Sequence, residues 1–471
     1  MQIQTSYLKS KTIVRFLEPN ILFRMEQQEK INDAMEGIQN YGPYDFNVKK
    51  RSFDKLKLIL VCLNDESIIN NSLSLLNYLK NGYGRYFHGL KTFFKLDDLD
   101  IPKGKKDVII YENGREDIIV NKLASIYPME KQPINTKYFV IAVGKDYRAI
   151  RSTNNYYKLK RICLKMGYPM QYFSIYPGDT YGGVLTKIND SKGLPYILWN
   201  ICIAIYSKAG GIPWLLKNPH NVDITLALRF SRNKEGGYTT GFISIFNNIG
   251  RFMGYYSNTY YDIELELHRD DFKMTSSGLF VPDIIIRKIM HETLFSYQER
   301  SMNPIKKLTI QKLGAFGKEE LIGFEKEFED NKIRSYCLVE IFDKNILRSF
   351  NLDKVNKNID RGICSQLSED FGYLCTTGDY DYTRAREIRS KPHKMGTPRP
   401  LLINLRKNKD CYGSFYDACQ DLFTLTGLHY QTVTHNELRL PASLIFALQI
   451  AKFSKYEIKP HDNLKNTPWF L

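Results

Sequence analysis

The chain has 471 residues, of which 43% are hydrophobic and 25% charged, and its formal net charge is +16. These proportions exclude a disordered or collagen-like chain, and a length prior of roughly 150 residues per domain predicts two or three folding units. The excess of lysine and arginine favours a polyanionic partner, nucleic acid first and an anionic membrane surface second.

Two further classes are disfavoured by simple counts. No apolar run approaches the roughly 20 residues that a membrane helix needs, and the polar start Met1–Lys11 is unlike a signal segment. We therefore expect a soluble, cytoplasmic protein without direct membrane insertion. The eight cysteines include no C-x-x-C pair, which predicts reduced core residues rather than a disulfide framework or a zinc site.

The first half of the chain alternates short β-branched apolar runs with helix-like segments. Leu56–Asn64, Asp107–Tyr111 and Lys137–Val143 are predicted to be buried parallel strands. This alternation indicates an α/β sheet with helices on both faces. The remaining predicted elements are helices at Ser67–Lys80, Asp117–Ile126, Asn155–Met166 and Tyr196–Ala209, and a strand at Tyr172–Ile175.

After Asp223 the pattern changes to consecutive strands separated by turn residues, which predicts an antiparallel meander. Its strands are Ile224–Ser231, Thr240–Asn247, Arg251–Tyr256 and Tyr260–His268. Helices and strands then alternate, and a meander followed by such alternation fits an RNase H-like domain. These later elements are Asp283–Glu299, Lys307–Gln311, Lys318–Asp330, Ser335–Phe342, Ser414–Leu425 and Pro441–Phe453. We interpret the charged helix Lys318–Asp330 as a solvated face without a function.

Four stretches in this order resemble prokaryotic Argonautes of the short type, which consist of MID and PIWI domains only. They are Glu18–Asp45, Tyr156–Gln171, Trp199–Leu215 and the C-terminal region, Arg439–Lys452 with Pro468–Leu471. The K-x-G-G-x-P-W segment that begins at Lys208 is the most specific part. The resemblance implies an α/β fold with an N-terminal extension at 1–17, a Rossmann-like MID domain at 18–209 and an RNase H-like PIWI domain at 210–471.

Four polar residues of this region have chemistry suited to a phosphate. Tyr156 and Lys160 are four residues apart and share one helix face, Gln171 follows eleven residues later, and Lys208 is near the end of the next long helix. A hydroxyl, an amide and two ammonium groups converging on one spot would hold a phosphate by charge-assisted hydrogen bonds.

The resemblance implies a role for these residues. In Argonautes the matching residues bind the 5′-phosphate of the guide strand, and the first base stacks on the aromatic ring. In some prokaryotic members the terminal carboxylate, here that of Leu471, adds a ligand to a Mg²⁺ at this phosphate. Tyr157 and Arg161 have the same four-residue spacing, so the register is open by one residue.

The second domain is at the place in the chain where the family has its PIWI domain, but other residues are at positions of the catalytic carboxylates. Active PIWI domains hold two metal ions with a carboxylate-rich tetrad. Arg229, Leu313 and Leu448 are at three of the four positions, and the fourth cannot be placed. An arginine and two leucines do not bind a divalent metal, so we expect no target cleavage and no enzymatic activity.

The resemblance therefore implies an inactive, guide-loaded sensor in prokaryotic antiviral defence. A 5′-phosphorylated guide RNA would pair with complementary target DNA and activate a partner that carries an APAZ region fused to a TIR, sirtuin-like, nuclease or membrane effector. Arg384, Arg386 and Arg389 are either a contact strip for nucleic acid or a solvated loop.

Two rival functions stay open. One is a stand-alone guided endonuclease that uses displaced carboxylates, for example Asp223, Glu264, Glu266 or Asp283. The other is a non-specific RNA-binding protein on the same fold, which would be indifferent to the 5′-phosphate.

Overall fold

A computed structural model describes most of the chain, and its residues group into two compact units. The first unit comprises Ile21–Leu215, Tyr430–His435 and Lys452–Leu471, and the second comprises Met1–Asn20, Leu216–His429 and Asn436–Ala451. No single boundary along the chain separates them, and the domain limits at 18 and 210 stay predictions. The described residues are 12–24, 31, 33–46, 51–112, 115–126, 135–144, 155–174, 193–232, 238–257, 273–275, 278–301, 304–355, 357–379, 399–428, 430, 438–454 and 456–471.

Helices and strands are numbered here in chain order. The helices are α1 Ala34–Tyr41, α2 Glu66–Asn81, α3 Leu90–Phe93, α4 Glu116–Ile126, α5 Asn155–Lys165, α6 Leu194–Lys208, α7 Asp283–Gln298, α8 Lys318–Asp330, α9 Phe415–Thr424 and α10 Ala442–Ser454. The strands are β1 Thr12–Arg15, β2 Ile21–Leu22, β3 Lys55–Leu63, β4 Asp98–Asp100, β5 Ile109–Tyr111, β6 Thr136–Gly144, β7 Met170–Ser174, β8 Leu215–Leu216, β9 Ile224–Arg232, β10 Tyr238–Asn247, β11 Phe252–Ser257, β12 Lys273–Thr275, β13 Gly278–Phe280, β14 Lys307–Leu313, β15 Ser335–Phe342, β16 Ile363–Gln366, β17 Phe371–Leu374 and β18 Leu401–Lys409.

The first unit is built around a parallel sheet, and we call it the five-stranded unit. Strand β3 pairs with β4, β5 and β6, and β6 pairs with β7. The apolar run of β3 is buried, as expected for a parallel strand covered on both faces. Helix α2 begins directly after β3 because the Asp65 side chain accepts a hydrogen bond from the Ile68 N–H at 3.2 Å. The parallel α/β prediction is confirmed.

The second unit is built around a mixed sheet, and we call it the nine-stranded unit. Its strand order is β1-β16-β17-β18-β15-β14-β9-β10-β11. The neighbours β9, β14 and β15 are parallel, whereas β10 and β11 continue from β9 as an antiparallel meander. The meander prediction is therefore confirmed for its first three strands. The fourth predicted strand, Tyr260–His268, lies outside the described residues.

Side-chain alternation in the central strands produces two cores, one on each face of the nine-stranded sheet. Ile224, Leu226 and Leu228 of β9 pack with apolar residues of α7 and α8. Ala227, between them, faces the other way and packs with residues of α9 and α10. The sheet is thus covered by helices on both sides, and polar side chains are left at the strand ends.

The interpretation of α8 as a solvated face was wrong for one side of the helix. Glu320, Phe324, Glu327 and Phe328 are all buried. The carboxylate of Glu320 is held by the Nζ of Lys312 at 2.6 and 2.9 Å, which allows a charged side chain to enter the core.

All eight cysteines are free and buried, which confirms their prediction as reduced core residues. Burial raises the pKa of the Cys163 thiol to about 12. Within the described ranges, no helix has both the length and the apolar character required to span a bilayer.

Candidate functional site

The side chain of Lys160 is enclosed in the five-stranded unit. It is only 1% exposed, and its Nζ donates a hydrogen bond to the Tyr156 hydroxyl at 3.3 Å, one helical turn away on α5. The same Nζ lies 3.9 Å from the ring centroid of Phe453 and 5.8 Å from that of Trp469. Three aromatic rings therefore surround this ammonium group, and cation–π attraction supplies part of the stabilisation that water would give.

Lys208 and Gln171 form a second pair close by. The Lys208 Nζ donates to the Gln171 Oε1 at 2.6 Å, and the Gln171 Nε2 donates to the carbonyl oxygen of Tyr172 at 3.2 Å. The amide of Gln171 is thereby fixed between β7 and the end of α6. Lys208 is 4% exposed.

Burial disfavours the protonated form of both lysines. Burial, the Lys208 ammonium and the Lys452 ammonium hold the pKa of Lys160 well below its usual range. Burial lowers the pKa of Lys208 to about 7. In the part of the chain that the structure describes, neither lysine forms an ion pair with a carboxylate. Two buried lysines without a carboxylate partner among the described residues could bind an anion, whose charge would favour their protonated forms.

The two candidate pairs on α5, Tyr156 with Lys160 and Tyr157 with Arg161, have different surroundings in the structure. The ring of Tyr157 stacks on that of Tyr456 with centroids 3.7 Å apart, and the Nη2 of Arg161 donates to the carbonyl oxygen of Tyr456 at 2.6 Å. Tyr157 and Arg161 thus hold the segment after α10, whereas Tyr156 and Lys160 are the pair near Lys208. Whether this group binds a guide stays a prediction.

Leu471 lies in the same unit as the lysines and is 8% exposed. Its N–H donates to the carbonyl oxygen of Pro468 at 3.1 Å, and the neighbouring Trp469 contributes one of the rings around Lys160. The terminal segment therefore takes part in the site at least through Trp469. Its role as a metal ligand stays a prediction.

A buried network next to Lys208 explains the glycines of the K-x-G-G-x-P-W segment. The Tyr206 hydroxyl donates to the Asp45 carboxylate and accepts a hydrogen bond from the Nη2 of Arg51 at 3.0 Å. Burial raises the pKa of Asp45. A Cβ on Gly211 would come within 2.3 Å of the Tyr206 ring, and Gly210 has a φ of +103°. The network fixes the end of α6, and only glycine fits the turn that follows Lys208.

The three predicted catalytic positions all lie in the nine-stranded unit. Arg229, in β9, is opposite Phe242 of β10, and Leu313, at the end of β14, is opposite Ile341 of β15. Leu448 is on α10. Burial lowers the pKa of Arg229, and the charge of Asp343 opposes this shift. Among the described residues, no three His, Cys, Asp or Glu side chains come together as metal ligands do.

Two of the four carboxylates proposed for the rival nuclease, those of Asp223 and Asp283, belong to the described residues. Asp223 accepts hydrogen bonds from the main-chain N–H groups of Lys306 and Lys307, and Asp283 accepts one from the Nζ of Lys326. Both therefore have structural partners. Glu264 and Glu266 lie outside the described residues, as does the predicted basic strip of Arg384, Arg386 and Arg389.

Comparisons with known proteins agree with this fold. No family model matches the chain. The Argonaute protein of Aquifex aeolicus is 23% identical over 285 residues, which are 59% of this chain and 34% of that protein. The chain thus spans about a third of this curated relative.

Solved Argonaute structures match almost the whole chain. The Clostridium butyricum Argonaute bound to a guide DNA and a 19-mer target DNA has a TM-score of 0.68 at 20% identity, covering 94% of this chain and 53% of that one. The Aquifex aeolicus Argonaute with externally bound siRNA has a TM-score of 0.60 at 19% identity, covering 98% and 56%. The predicted fold class is confirmed: the chain has a mixed α/β fold similar to that of Argonautes, consistent with a MID domain and an RNase H-like PIWI domain.

Proposed function

We propose that the protein is a guide-dependent, nucleic-acid-binding sensor of a prokaryotic defence system. It binds a 5′-phosphorylated guide strand, RNA in our proposal, and recognises complementary target DNA without cleaving it. The observation that carries the proposal is the pair of buried ammonium groups of Lys160 and Lys208, which have no carboxylate partner among the described residues. A phosphate dianion would neutralise both charges.

The side chains divide the work of binding between them. Lys160 and Lys208 donate to the phosphate oxygens, and the Tyr156 hydroxyl is a third donor. Gln171 holds Lys208 in place through its amide oxygen. The ring of Tyr156, which is partly exposed, stacks on the first base of the guide.

The donor set near the lysines fits a Mg²⁺ only in company with a phosphate. Mg²⁺ takes oxygen ligands, and the Gln171 amide and the carboxylate predicted at Leu471 would supply two. Two ammonium groups would repel the bare ion, so phosphate oxygens must complete its coordination. The ion would supply additional positive charge to the bound phosphate.

Loss of cleavage is supported by the residues at the three predicted catalytic positions of the nine-stranded unit. Arg229 contributes a cation, and Leu313 and Leu448 contribute hydrocarbon, where an active PIWI domain has metal ligands. Base pairing with the guide would then supply sequence specificity, and the protein would hold the duplex through its phosphates. By resemblance to the short Argonautes, target binding activates a separate APAZ-containing effector subunit.

The guide proposal is tested with one short RNA that carries either a 5′-phosphate or a 5′-hydroxyl, with Mg²⁺ or with EDTA. Each charge-assisted hydrogen bond contributes about 1.5–3 kcal/mol, so we expect the phosphate to strengthen binding about a hundredfold or more. EDTA should make the preference for the phosphorylated RNA about tenfold smaller. Equal binding of the two RNAs would instead favour the non-specific RNA-binding protein.

The same complex tests the fate of the target. Complementary DNA is added with Mg²⁺, and its length is followed on a denaturing gel. The target should stay intact. Discrete cutting at a fixed distance from the guide's 5′ end would favour the endonuclease with displaced carboxylates and contradict the sensor.

Affinity for the 5′-phosphate should fall as the pH rises above about 7. Burial lowers the pKa of Lys208 to about 7 from its usual 10.5, so above pH 7 the free protein must take up a proton before it can bind the phosphate. The affinity then drops by up to about tenfold per pH unit. Calorimetry between pH 7 and 9, in buffers of different ionisation enthalpy, counts the proton. Lys208→Arg stays protonated and should remove the Lys208 contribution, so fewer protons are taken up on binding and the pH dependence is weaker, whereas Lys160 keeps its own contribution; an unchanged proton count in the variant would contradict the assignment.

A further inference from the structure

Several strand ends of the nine-stranded unit meet at one edge of the sheet. Strands β9, β14 and β15 are parallel, so their carboxyl ends are neighbours. Arg229 is near this end of β9, and Asp343 directly follows β15. Strand β18 runs the other way and begins here, since its Leu402 is opposite Phe342. Arg399 therefore lies at the same edge as Arg229.

Two more arginines reach the same place. The Nη2 of Arg439 donates to the main-chain oxygen of Asp343. Its Nε is buried and has no hydrogen-bond partner among the described residues. Burial lowers the pKa of Arg439, and the charges of Arg399 and Arg348 add to this shift.

The charges of this cluster do not balance. At this edge lie Arg229, Arg399 and Arg439 together with Asp343, whose main-chain oxygen Arg439 binds and whose charge acts on Arg229 and Arg439. Within the described residues the Arg229 side chain forms no hydrogen bond or ion pair. It is partly buried, so holding its charge there costs free energy in the absence of an anion.

The chemistry of the cluster indicates which anion it takes. A guanidinium presents a planar fork of N–H donors that matches two phosphate oxygens at once. The arginines around Asp343 are partly exposed, so a ligand can approach from solvent. A nucleic-acid backbone supplies phosphate groups at regular spacing, and the protein's net charge of +16 attracts it.

We propose that Arg229, Arg399 and Arg439 bind one backbone phosphodiester of the target strand, at the sheet edge where an active RNase H-like domain would hold metal ions. The cluster is thus a phosphate clamp in place of a metal centre. This inference deepens the proposed function and rests on it for the identity of the strand.

The experiment replaces the target phosphates one at a time. A neutral methylphosphonate is placed at successive positions of a DNA strand that is paired with RNA, and binding is measured for each hybrid. We expect a loss of about tenfold at one position and small losses elsewhere. The hybrids carry a 5′-hydroxyl on the RNA, so the result does not depend on the lysine site. A flat profile would overturn the clamp.

Arginine-to-alanine variants test whether the arginines contact the phosphate whose replacement weakens binding. Arg229→Ala should weaken binding of the unmodified hybrid by about tenfold, flatten the methylphosphonate profile and reduce the salt slope by about one. If Arg229→Ala folds poorly, Arg399→Ala takes its place, because Arg399 lies outside the strands, and it should have the same three effects. The control is Arg251→Ala, an exposed arginine in the turn between β10 and β11. Equal losses in Arg251→Ala and Arg229→Ala would overturn the clamp.

Indifference to the guide's 5′-phosphate, with a peaked methylphosphonate profile, would contradict the lysine site alone. A flat profile, with strong dependence on the 5′-phosphate, would contradict the arginine clamp alone. The two failures are therefore distinguishable with the same protein preparation.

Discussion

The variant Lys160→Met should be more stable than the wild-type protein and should no longer distinguish a 5′-phosphate from a 5′-hydroxyl. Methionine has nearly the length of lysine and suits the rings of Phe453 and Trp469. It removes a buried cation that has no carboxylate partner among the described residues, and the free energy of unfolding should rise by about 2 kcal/mol. Affinity for the phosphorylated guide should fall about a hundredfold, because a charge-assisted bond to the phosphate is lost.

The size of this stability gain depends on pH. The folded-state pKa of Lys160 is below its unfolded value, so its destabilising contribution is complete below the folded pKa and fades as the pH rises towards 10.5. Denaturation at pH 7 and pH 10 should therefore show a smaller difference between variant and wild type at pH 10. Lys165→Met, an exposed residue of the same helix, is the matched control and should change neither property. A destabilised Lys160→Met variant would contradict the account of an uncompensated charge.

Lys312→Met should destabilise the nine-stranded unit by about 3–5 kcal/mol. Lys312 and Glu320 form a buried ion pair with Nζ–O distances of 2.6 and 2.9 Å, and Glu320 is completely buried. Removing the ammonium leaves a charged carboxylate in the core with main-chain hydrogen bonds, such as that from the N–H of Gly317 at 2.7 Å, but without its cation. Thermal and urea unfolding, followed by a probe in this unit, would measure the loss.

Two further variants show whether the cost arises from the stranded charge. The double variant Lys312→Met/Glu320→Gln removes both charges and should recover most of the stability. Lys407→Met breaks an ion pair with Glu325 that joins β18 to the same helix but is partly exposed, and it should cost less than about 1 kcal/mol. Comparable losses for Lys312→Met and Lys407→Met would show that burial is not the cause.

The elements with strong apolar periodicity were predictable because burial on both faces leaves a continuous signal. Helix Lys318–Asp330 and strand Ser335–Phe342 have the predicted bounds, and β9 differs by one residue. Strands β16, β17 and β18 were missed. Their sequences, such as ICSQ and LLINLRKNK, mix polar and apolar residues, and they become strands by pairing with distant segments, as Thr12 does with Gln366.

The candidate site was predictable in its polar members and not in its surroundings. Helical spacing placed Tyr156 and Lys160 on one face, but no spacing rule connects them with Phe453, almost 300 residues later. The same applies to Asp45, whose carboxylate fixes Tyr206. The charge state of Lys160 and Lys208 could not be predicted from the sequence either, because their pKa values are lowered by burial in the folded chain.

The arrangement of the thiols has a practical use. All eight cysteines are buried and free, and burial raises the pKa of those at 163, 375 and 411 to about 12, so few of them are reactive thiolates near neutral pH. A single cysteine introduced on the surface, for example by Lys165→Cys, would then be the preferred target of maleimide dyes without removal of the native ones. Fluorescent reporters of guide loading and target pairing can thus be attached to an otherwise unaltered chain.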